Sequence, residues 1–322
     1  MRNSDALYLQ AEKATRRFTI DEAFAYCAEL TRQHYENFPV ASLLLPEDKR
    51  PYLQVIYAFA RIADDFADEG NAAPEKRLAL LDQWDQKLQE CHAAATNTAD
   101  HDVSHPVFVA LSEAIRRLNL TIEPFRDLIA AFKMDVTTNR YATFDDVLSY
   151  CRHSANPVGR LVLMIFGYRD ERLFKLSDNI CTALQLANFW QDISIDSEKN
   201  RIYIPLEDFE RFGCTHDSIA SEANSDRFNE LLKFEIDRTR ELFRKGAELP
   251  SLVDKDLRLE LKLVWFGGMN ILRKTERLGK HIISRRPRLN PGNKLAVLLR
   301  ALLIRNLAGY KPFSFADQWD PT

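Results

Sequence analysis

The sequence contains no long hydrophobic run. No segment approaches the roughly 20 apolar residues that a helix needs to span a bilayer. The first 18 residues, MRNSDALYLQAEKATRRF, lack the apolar stretch of a secretory signal. We therefore expect a cytoplasmic protein that contacts the inner membrane surface at most peripherally.

Paired cysteines and an excess of basic residues are missing as well. The five cysteines lie far apart and form no Cys-x-x-Cys pair, so neither a structural zinc site nor a disulfide framework is expected. The net charge of -3 offers no basic surface for the phosphates of a nucleic acid. We therefore exclude nucleic acid as a partner.

Helical periodicity dominates the sequence. Apolar residues recur at spacings of three and four rather than two, and only 10 glycines interrupt them. There is no linker, low-complexity block or internal repeat, which predicts an all-α fold in a single domain spanning residues 1–322. The predicted helices run approximately over 21–37, 49–69, 75–95, 105–118, 122–139, 144–153, 157–167, 171–196, 225–248, 252–284 and 291–309.

The last predicted helix, about 291–309, combines apolar residues with interspersed lysines and arginines. Such a composition fits a helix that packs on the core through one face, and this is the interpretation we favour. A helix lying in a membrane interface would have the same composition. Peripheral membrane contact therefore stays open as an alternative.

Carboxylates are concentrated in the middle of the second predicted helix, in the stretch ARIADDFADE at residues 60–69. Because residues three and four apart share a helix face, we expect a cluster of four charged side chains, Arg61, Asp64, Asp65 and Asp68. Apolar side chains occupy the other faces, which predicts burial. Clustered carboxylates repel one another and cost several kcal/mol each to bury unless a cation compensates. A positive charge is therefore expected beside them.

A second polar stripe follows in ALQLANFWQDISID, residues 183–196. Its polar members advance by three, four and four residues, so they share one helix face. A single stripe of this kind is more often a solvated helix face, but two of them in apolar helices favour a binding site. The members of the second stripe are Gln185, Asn188, Asp192 and Asp196.

Oxygen ligands from carboxylates and a side-chain amide suit Mg²⁺, which keeps several waters and is completed by substrate phosphate oxygens. If the two helices face each other across a bundle, their stripes enclose such a ligand set. The sequence therefore predicts Mg²⁺ as cofactor, held against a diphosphate.

The two stripes and their surroundings resemble the squalene/phytoene synthase family, whose two Asp-x-x-x-Asp motifs match Asp64 to Asp68 and Asp192 to Asp196. The stretches IYAFARIADDFADE, YCRHSANPVGRLVLMIFG, LQLANFWQDISID and NRIYIPLEDFERFG follow in the family's order and spacing. The resemblance covers about residues 20–285. It implies an isoprenoid-synthase-like helical bundle with a central apolar channel.

The resemblance also implies roles for individual residues, each of which matches a family position. Tyr150 and the four motif aspartates would be catalytic, and the aspartates together with Asn188 would bind Mg²⁺. The residues that would meet the diphosphate are Arg61, Arg201, Gln185 and Tyr203. Aromatic candidates for the channel wall are Phe38, Phe59, Phe66, Phe189 and Trp190.

Two departures from the family pattern bear on the reaction. Members that condense two prenyl diphosphates usually have His-Ser-x-Ser-Phe in the first helix, where this chain has HYENF at residues 34–38. The usual Asn-x-x-Arg-Asp is here Asn-Phe-Trp-Gln-Asp, with Gln191 in place of the arginine. A cation is therefore expected to be missing next to Asp192. Both changes favour an enzyme that holds one diphosphate at a time.

In the stretches YCRHSANPVGRL and NFWQDISID the chain is similar to the family members of bacterial hopanoid pathways that convert presqualene diphosphate to hydroxysqualene. A partner synthase of the same pathway, which supplies that substrate, is a further candidate partner. Two alternatives stay open. One is a condensing synthase that makes squalene or phytoene from two prenyl diphosphates. The other is a non-catalytic relative that acts as an assembly protein.

Overall fold

A computed structural model of the protein describes residues 17–33, 45–68, 72–96, 104–215 and 226–310. Within these ranges there are helices but no β-strand, which confirms the predicted all-α fold. None of these helices is long and apolar enough to cross a bilayer. The helices are α1 Ile20–Gln33, α2 Arg50–Asp68, α3 Pro74–Thr96, α4 Pro106–Leu118, α5 Glu123–Thr137, α6 Phe144–Ser154, α7 Asn156–Ile165, α8 Glu171–Gln191, α9 Ile193–Glu198, α10 Leu206–Arg211, α11 Asp226–Gly246, α12 Leu249–Leu252, α13 Lys255–Leu278, a 3-10 helix Gly279–Ile283, and α14 Pro291–Leu303.

The chain divides into two compact units. The first comprises residues 1–138 and 152–170, and in it α2 packs against α1, α3, α4, α5 and α7. An aromatic cluster forms its core: Phe59 contacts Trp84, Phe108 and Phe125 at ring-centroid distances of 5.3 to 6.1 Å. All four rings are almost fully buried. The single domain over residues 1–322 stays a prediction.

The second unit comprises residues 139–151 and 171–322. Here α8 packs along α11 and α13. Gly268 of α13 allows a close approach, because an added Cβ there would lie 2.8 Å from Leu184 Cδ2. The buried Trp190 indole donates a hydrogen bond to Thr239 Oγ1 at 2.8 Å, which fixes the C-terminal part of α8 against α11.

The structure corrects the predicted helix that was to run from 171 to 196. It is interrupted at Asp192, between α8 and α9. The interruption lies where residues Arg286 and Pro287 contact the helix, since Gln191 Nε2 donates to the Pro287 carbonyl at 2.7 Å. An amphipathic pattern continues through such a break, so periodicity alone does not reveal it.

The structure also shortens the last predicted helix, which ends at Leu303 rather than near 309. Ile304 is extended, and the buried Lys262 ammonium donates to the carbonyls of Ala301 and Ile304 at 3.4 and 2.7 Å. A side-chain donor thus satisfies carbonyls that another helical turn would otherwise use. As predicted, this helix packs against its neighbour, α13.

Candidate functional site

The first carboxylate stripe lies at the C-terminal end of α2. The side chain of Asp64 is 43% exposed, whereas that of Asp65 is 7% exposed. Asp68 is exposed as well. Only one of the three aspartates is therefore buried, and the two that match the family motif are accessible from outside the helix.

Arg61, which the family resemblance assigns to the diphosphate, lies beside this stripe. Its guanidinium forms ion pairs with Asp64, at 3.2 Å, and with Asp65. These are i,i+3 and i,i+4 contacts on one helix face. The pairing compensates the buried carboxylate of Asp65, so this part of the helix does not need a metal ion in order to fold.

The second stripe keeps its helical register across the break between α8 and α9. The Asp192 N–H donates to the Asn188 carbonyl, and the Asp196 N–H donates to the Asp192 carbonyl, both at 2.9 Å. Each of these bonds is a regular i to i−4 step. Asn188, Asp192 and Asp196 therefore follow one another at intervals of one turn, as predicted, with Asn188 exposed and the aspartates half-buried.

A cation that sequence analysis missed lies next to Asp192. The Arg286 guanidinium holds both carboxylate oxygens, with Nη2 donating to Oδ2 at 2.9 Å and Nε donating to Oδ1. The prediction that Gln191 leaves Asp192 without a neighbouring cation is therefore wrong. Arg286 is 94 residues away from Asp192 in the sequence, and no local spacing signals such a pair.

The segment that carries Arg201 and Tyr203 is set by a turn at Asn200, which has a left-handed φ of 57°. After this turn the chain is extended and runs beside residues 139–141. The Ile202 N–H donates to the Asn139 carbonyl at 3.1 Å, and the Leu206 N–H donates to the Tyr141 carbonyl at 3.0 Å. This pairing fixes the position of the segment between α9 and α10.

Aromatic rings gather around Tyr203. Its ring stacks on Phe189 at a centroid distance of 3.7 Å and an interplanar angle of 6°. Tyr150 lies 5.9 Å from both rings. Tyr141, which sequence analysis did not single out, stacks on Tyr203 at 5.8 Å. Three predicted site residues thus come together with a fourth ring that no motif marks.

A small pocket opens beside this cluster. It joins a carboxylate and a guanidinium with apolar side chains. The residues that line it are Phe189, Trp190, Ile193, Asp196, Arg201, Ile202, Tyr203 and Ile204.

The predicted channel residues occupy different environments. Phe59 and Trp190 are fully buried and pack in the cores of the first and second units respectively. Phe66 packs edge-on against Trp84 at 5.7 Å. Phe38 and the rest of HYENF lie outside the described residues. A channel lined by these aromatics stays a prediction.

A buried ionic cluster braces the helix that carries Tyr150. The Arg238 guanidinium pairs with Asp208 and with Glu235 at 2.7 and 2.5 Å, and it covers the ring of Phe144 at 3.5 Å. Phe144 is the first residue of α6, and its N–H donates to Glu207 Oε1 at 2.6 Å. The cluster therefore ties α6 to α10 and α11.

One guanidinium in this cluster serves two buried carboxylates. Burial, followed by the proximity of Asp208, raises the pKa of Glu235 to about 8, although Arg238 acts in the opposite direction. Because the single positive charge of Arg238 compensates only one carboxylate, Glu235 keeps its proton at neutral pH.

The donor chemistry of the two stripes suits a hard cation. The five predicted ligands are carboxylate or amide groups on side chains that are half-buried or exposed, so an ion could reach them. Within the described part of either unit, no three acidic, His or Cys side chains converge to hold a metal ion by themselves. Each motif contributes two aspartates, fewer than the ligands that a metal held by protein alone requires.

Comparison with known proteins gives consistent matches. A model of the squalene/phytoene synthase family matches residues 31–293. The chain is 35% identical over 234 residues to the hydroxysqualene synthase of Zymomonas mobilis, covering 71% of this chain and 75% of that protein. It is 31% identical over 252 residues to the 15-cis-phytoene synthase of a Synechocystis strain, covering 74% and 72%.

A solved structure agrees with these matches. The crystal structure of squalene synthase HpnC from Alicyclobacillus acidocaldarius superposes with a TM-score of 0.75 at 42% sequence identity, and the match covers 81% of this chain and 95% of that one. This similarity confirms the predicted isoprenoid-synthase-like helical fold.

Proposed function

Because the chain belongs to the squalene/phytoene synthase family, whose enzymes act on prenyl diphosphates, we propose that it is a hydroxysqualene synthase. It would ionise presqualene diphosphate and let water capture the resulting carbocation. The carbon–oxygen bond to the diphosphate breaks, the cyclopropylcarbinyl cation rearranges as a ring carbon–carbon bond opens, and a bond to the water oxygen forms. The water loses a proton, and no electrons are gained or lost, so no nicotinamide is needed.

The observation that carries this proposal is the environment of Gln191. Condensing members of the family usually have an arginine at this position, and here the amide is committed to the Pro287 carbonyl at 2.7 Å. A neutral amide that already donates to a carbonyl supplies no positive charge of its own for a second diphosphate. The Glu of HYENF acts in the same direction, because a carboxylate repels phosphate.

Arg61 and Arg201 would stabilise the departing diphosphate, since charge that develops on a leaving group is best met by fixed positive groups. Asp64, Asp68, Asn188, Asp192 and Asp196 would hold Mg²⁺, which acts as a Lewis acid on the diphosphate oxygens. Tyr203 and Phe189 would present their rings to the carbocation. Tyr150 lies against both rings and would keep them in position.

A condensing synthase is the second candidate function. Phytoene synthases match over a comparable span, and Arg286 places a guanidinium beside Asp192 even though residue 191 is not an arginine. Such an enzyme would join two prenyl diphosphates and would release two molecules of pyrophosphate for every molecule of hydrocarbon.

Product analysis separates the two functions. The purified protein is incubated with Mg²⁺ and either presqualene diphosphate or farnesyl diphosphate, without nicotinamide. We expect hydroxysqualene from presqualene diphosphate and no product from farnesyl diphosphate. Presqualene diphosphate formed from farnesyl diphosphate would overturn the proposal in favour of condensation. If neither substrate reacts, and a C20 prenyl diphosphate does not react either, while a family enzyme is active in parallel, the chain is a non-catalytic relative.

An Asp192→Asn variant tests the role of the second motif. We expect at least a hundredfold lower kcat with presqualene diphosphate, because the carboxylate is both a predicted metal ligand and the partner of Arg286. Asn179→Ala on α8 provides the control, since Asn179 lies on the helix face opposite the polar stripe. Equal loss in both variants would indicate damage to α8 rather than to a site.

A further inference from the structure

Helix α14 turns a row of leucines away from the protein. Leu295, Leu299, Leu302 and Leu303 have exposed fractions of 57, 48, 57 and 77%. Their spacings of four, three and one place them on one face. The opposite face carries Asn293, Val297 and Ala301, which are buried, and it packs on α13. Exposed leucines concentrated in this way mark an interaction surface.

The helix is firmly held in this orientation. Asn290 and Asn293 form a capping box at its N-terminus. At its C-terminus the buried Lys262 donates to the carbonyls of Ala301 and Ile304. The cap stabilises the first turn of the helix, and the Lys262 contact ties its last turn to α13.

The sequence on both sides of this helix carries charge of one sign. The residues between Glu276 and Asp317 include nine lysines and arginines and no acidic residue, although the whole chain has a net charge of -3. Lys294 and Arg305 are exposed at the two ends of the leucine face, and Arg300 is half-exposed between them. An apolar face bordered by basic groups complements a bilayer with anionic head groups.

We propose that α14 is a docking surface for anionic membranes, with Leu295, Leu299, Leu302 and Leu303 entering the interface and Lys294, Arg300 and Arg305 meeting lipid phosphates. The helix has 13 residues, too few to cross a bilayer but sufficient to lie in its surface plane. This surface is independent of the reaction proposed above, so its test uses no substrate.

Vesicle sedimentation tests the proposal. The full-length protein is mixed with vesicles of phosphatidylcholine alone, or of phosphatidylcholine and phosphatidylglycerol at about 7:3, in low and high salt. We expect sedimentation with the anionic vesicles that weakens several-fold in high salt, since the attraction to lipid phosphates is screened. No sedimentation of the wild-type protein with anionic vesicles would overturn the proposal.

Two variants separate the apolar and basic contributions. The Leu299→Ser/Leu302→Ser variant should lose at least tenfold in vesicle affinity at both salt concentrations. The Lys294→Gln/Arg305→Gln variant should lose the preference for phosphatidylglycerol and should fold normally, because both side chains are exposed. The control is Leu252→Ser on α12, a leucine that is 37% exposed.

Unchanged vesicle binding in both double variants would overturn the proposal. Light scattering without vesicles measures the molecular mass and so tests whether the leucine face binds a second copy of the chain. A wild-type dimer that the leucine variant converts to a monomer, without vesicle binding by either, would assign the surface to self-association and would also overturn the proposal.

Discussion

Replacing Arg286 by glutamine should increase the affinity of the substrate-free protein for Mg²⁺. In the structure the guanidinium occupies both oxygens of Asp192, a predicted metal ligand. A cation that binds this carboxylate must first displace Arg286. The arginine therefore acts as a competitor for the site as long as no diphosphate is present.

The size of the effect follows from the exposure of the pair. Hydrogen bonds to charged groups contribute about 1.5–3 kcal/mol when they are shielded from water. The Arg286 side chain is 35% exposed and that of Asp192 is 14% exposed, so we take the low end of this range. A difference of about 1.4 kcal/mol is tenfold in a binding constant, and we expect Mg²⁺ to bind about tenfold more tightly to Arg286→Gln.

Isothermal titration of Mg²⁺ into the substrate-free protein measures this change. Arg285→Gln is the matched control, because the neighbouring Arg285 is exposed and forms no ion pair that the described residues show. Inorganic pyrophosphate should reduce or reverse the difference in Mg²⁺ affinity between Arg286→Gln and the wild-type protein. In the wild-type protein the Arg286 guanidinium can then leave Asp192 and bind the pyrophosphate, which the variant cannot do. Unchanged or weaker Mg²⁺ binding by Arg286→Gln without pyrophosphate would refute competition for Asp192.

Three further changes test other parts of the structure. Gly268→Ala should destabilise the protein by about 1–3 kcal/mol in urea unfolding, because the added methyl would clash with the ring of Phe243 and with Leu184. Gly267→Ala, which meets no atom within 4 Å, should not; equal effects would exclude a packing cause. The pKa of Glu235 is raised from 4.5 to about 8, so between pH 4.5 and 8 the folded protein holds a proton that the unfolded chain has lost. The free energy of unfolding should therefore fall as the pH rises through this range. In Glu235→Gln the urea midpoint should no longer depend on pH in this way, and an unchanged pH dependence would place the proton on another group. Tyr203→Leu should lower kcat with presqualene diphosphate at least tenfold, whereas Tyr203→Phe should retain most of the activity. The reason is that stacking on Phe189 needs the ring and not the hydroxyl. Equal losses in the two variants would instead assign a role to the hydroxyl.

Much of the fold could be predicted because it depends on local periodicity. Predicted helices such as 49–69 and 75–95 agree with Arg50–Asp68 and Pro74–Thr96 to within about one residue. Helix ends that depend on distant partners were missed. Leu303 ends α14 where the carbonyls meet Lys262 from another helix, and α10 was not predicted because its six residues are too few for a periodic signal.

The candidate site was predictable to the extent that its residues lie on single helices. The spacing of Asn188, Asp192 and Asp196 gave their common face, and the spacing of Arg61 and Asp64 placed both on one face of α2. Tyr141 and Arg286 could not be found in this way. Their positions depend on chain pairing with residues 202–206 and on a contact across 94 residues, and neither belongs to a motif.

The contacts of Gln191 and Arg286 also define which pieces of the chain can be exchanged between family members. A chimera that imports the NFWQDISID stretch from a relative would have to import residues 285–287 with it, because the donor and acceptor of both contacts lie on these two segments. If one segment were grafted alone, the side chain at position 191 or 286 would face a segment that does not provide its present partner. Residues 191–192 and 286–287 should therefore be exchanged together, although they lie far apart in the sequence.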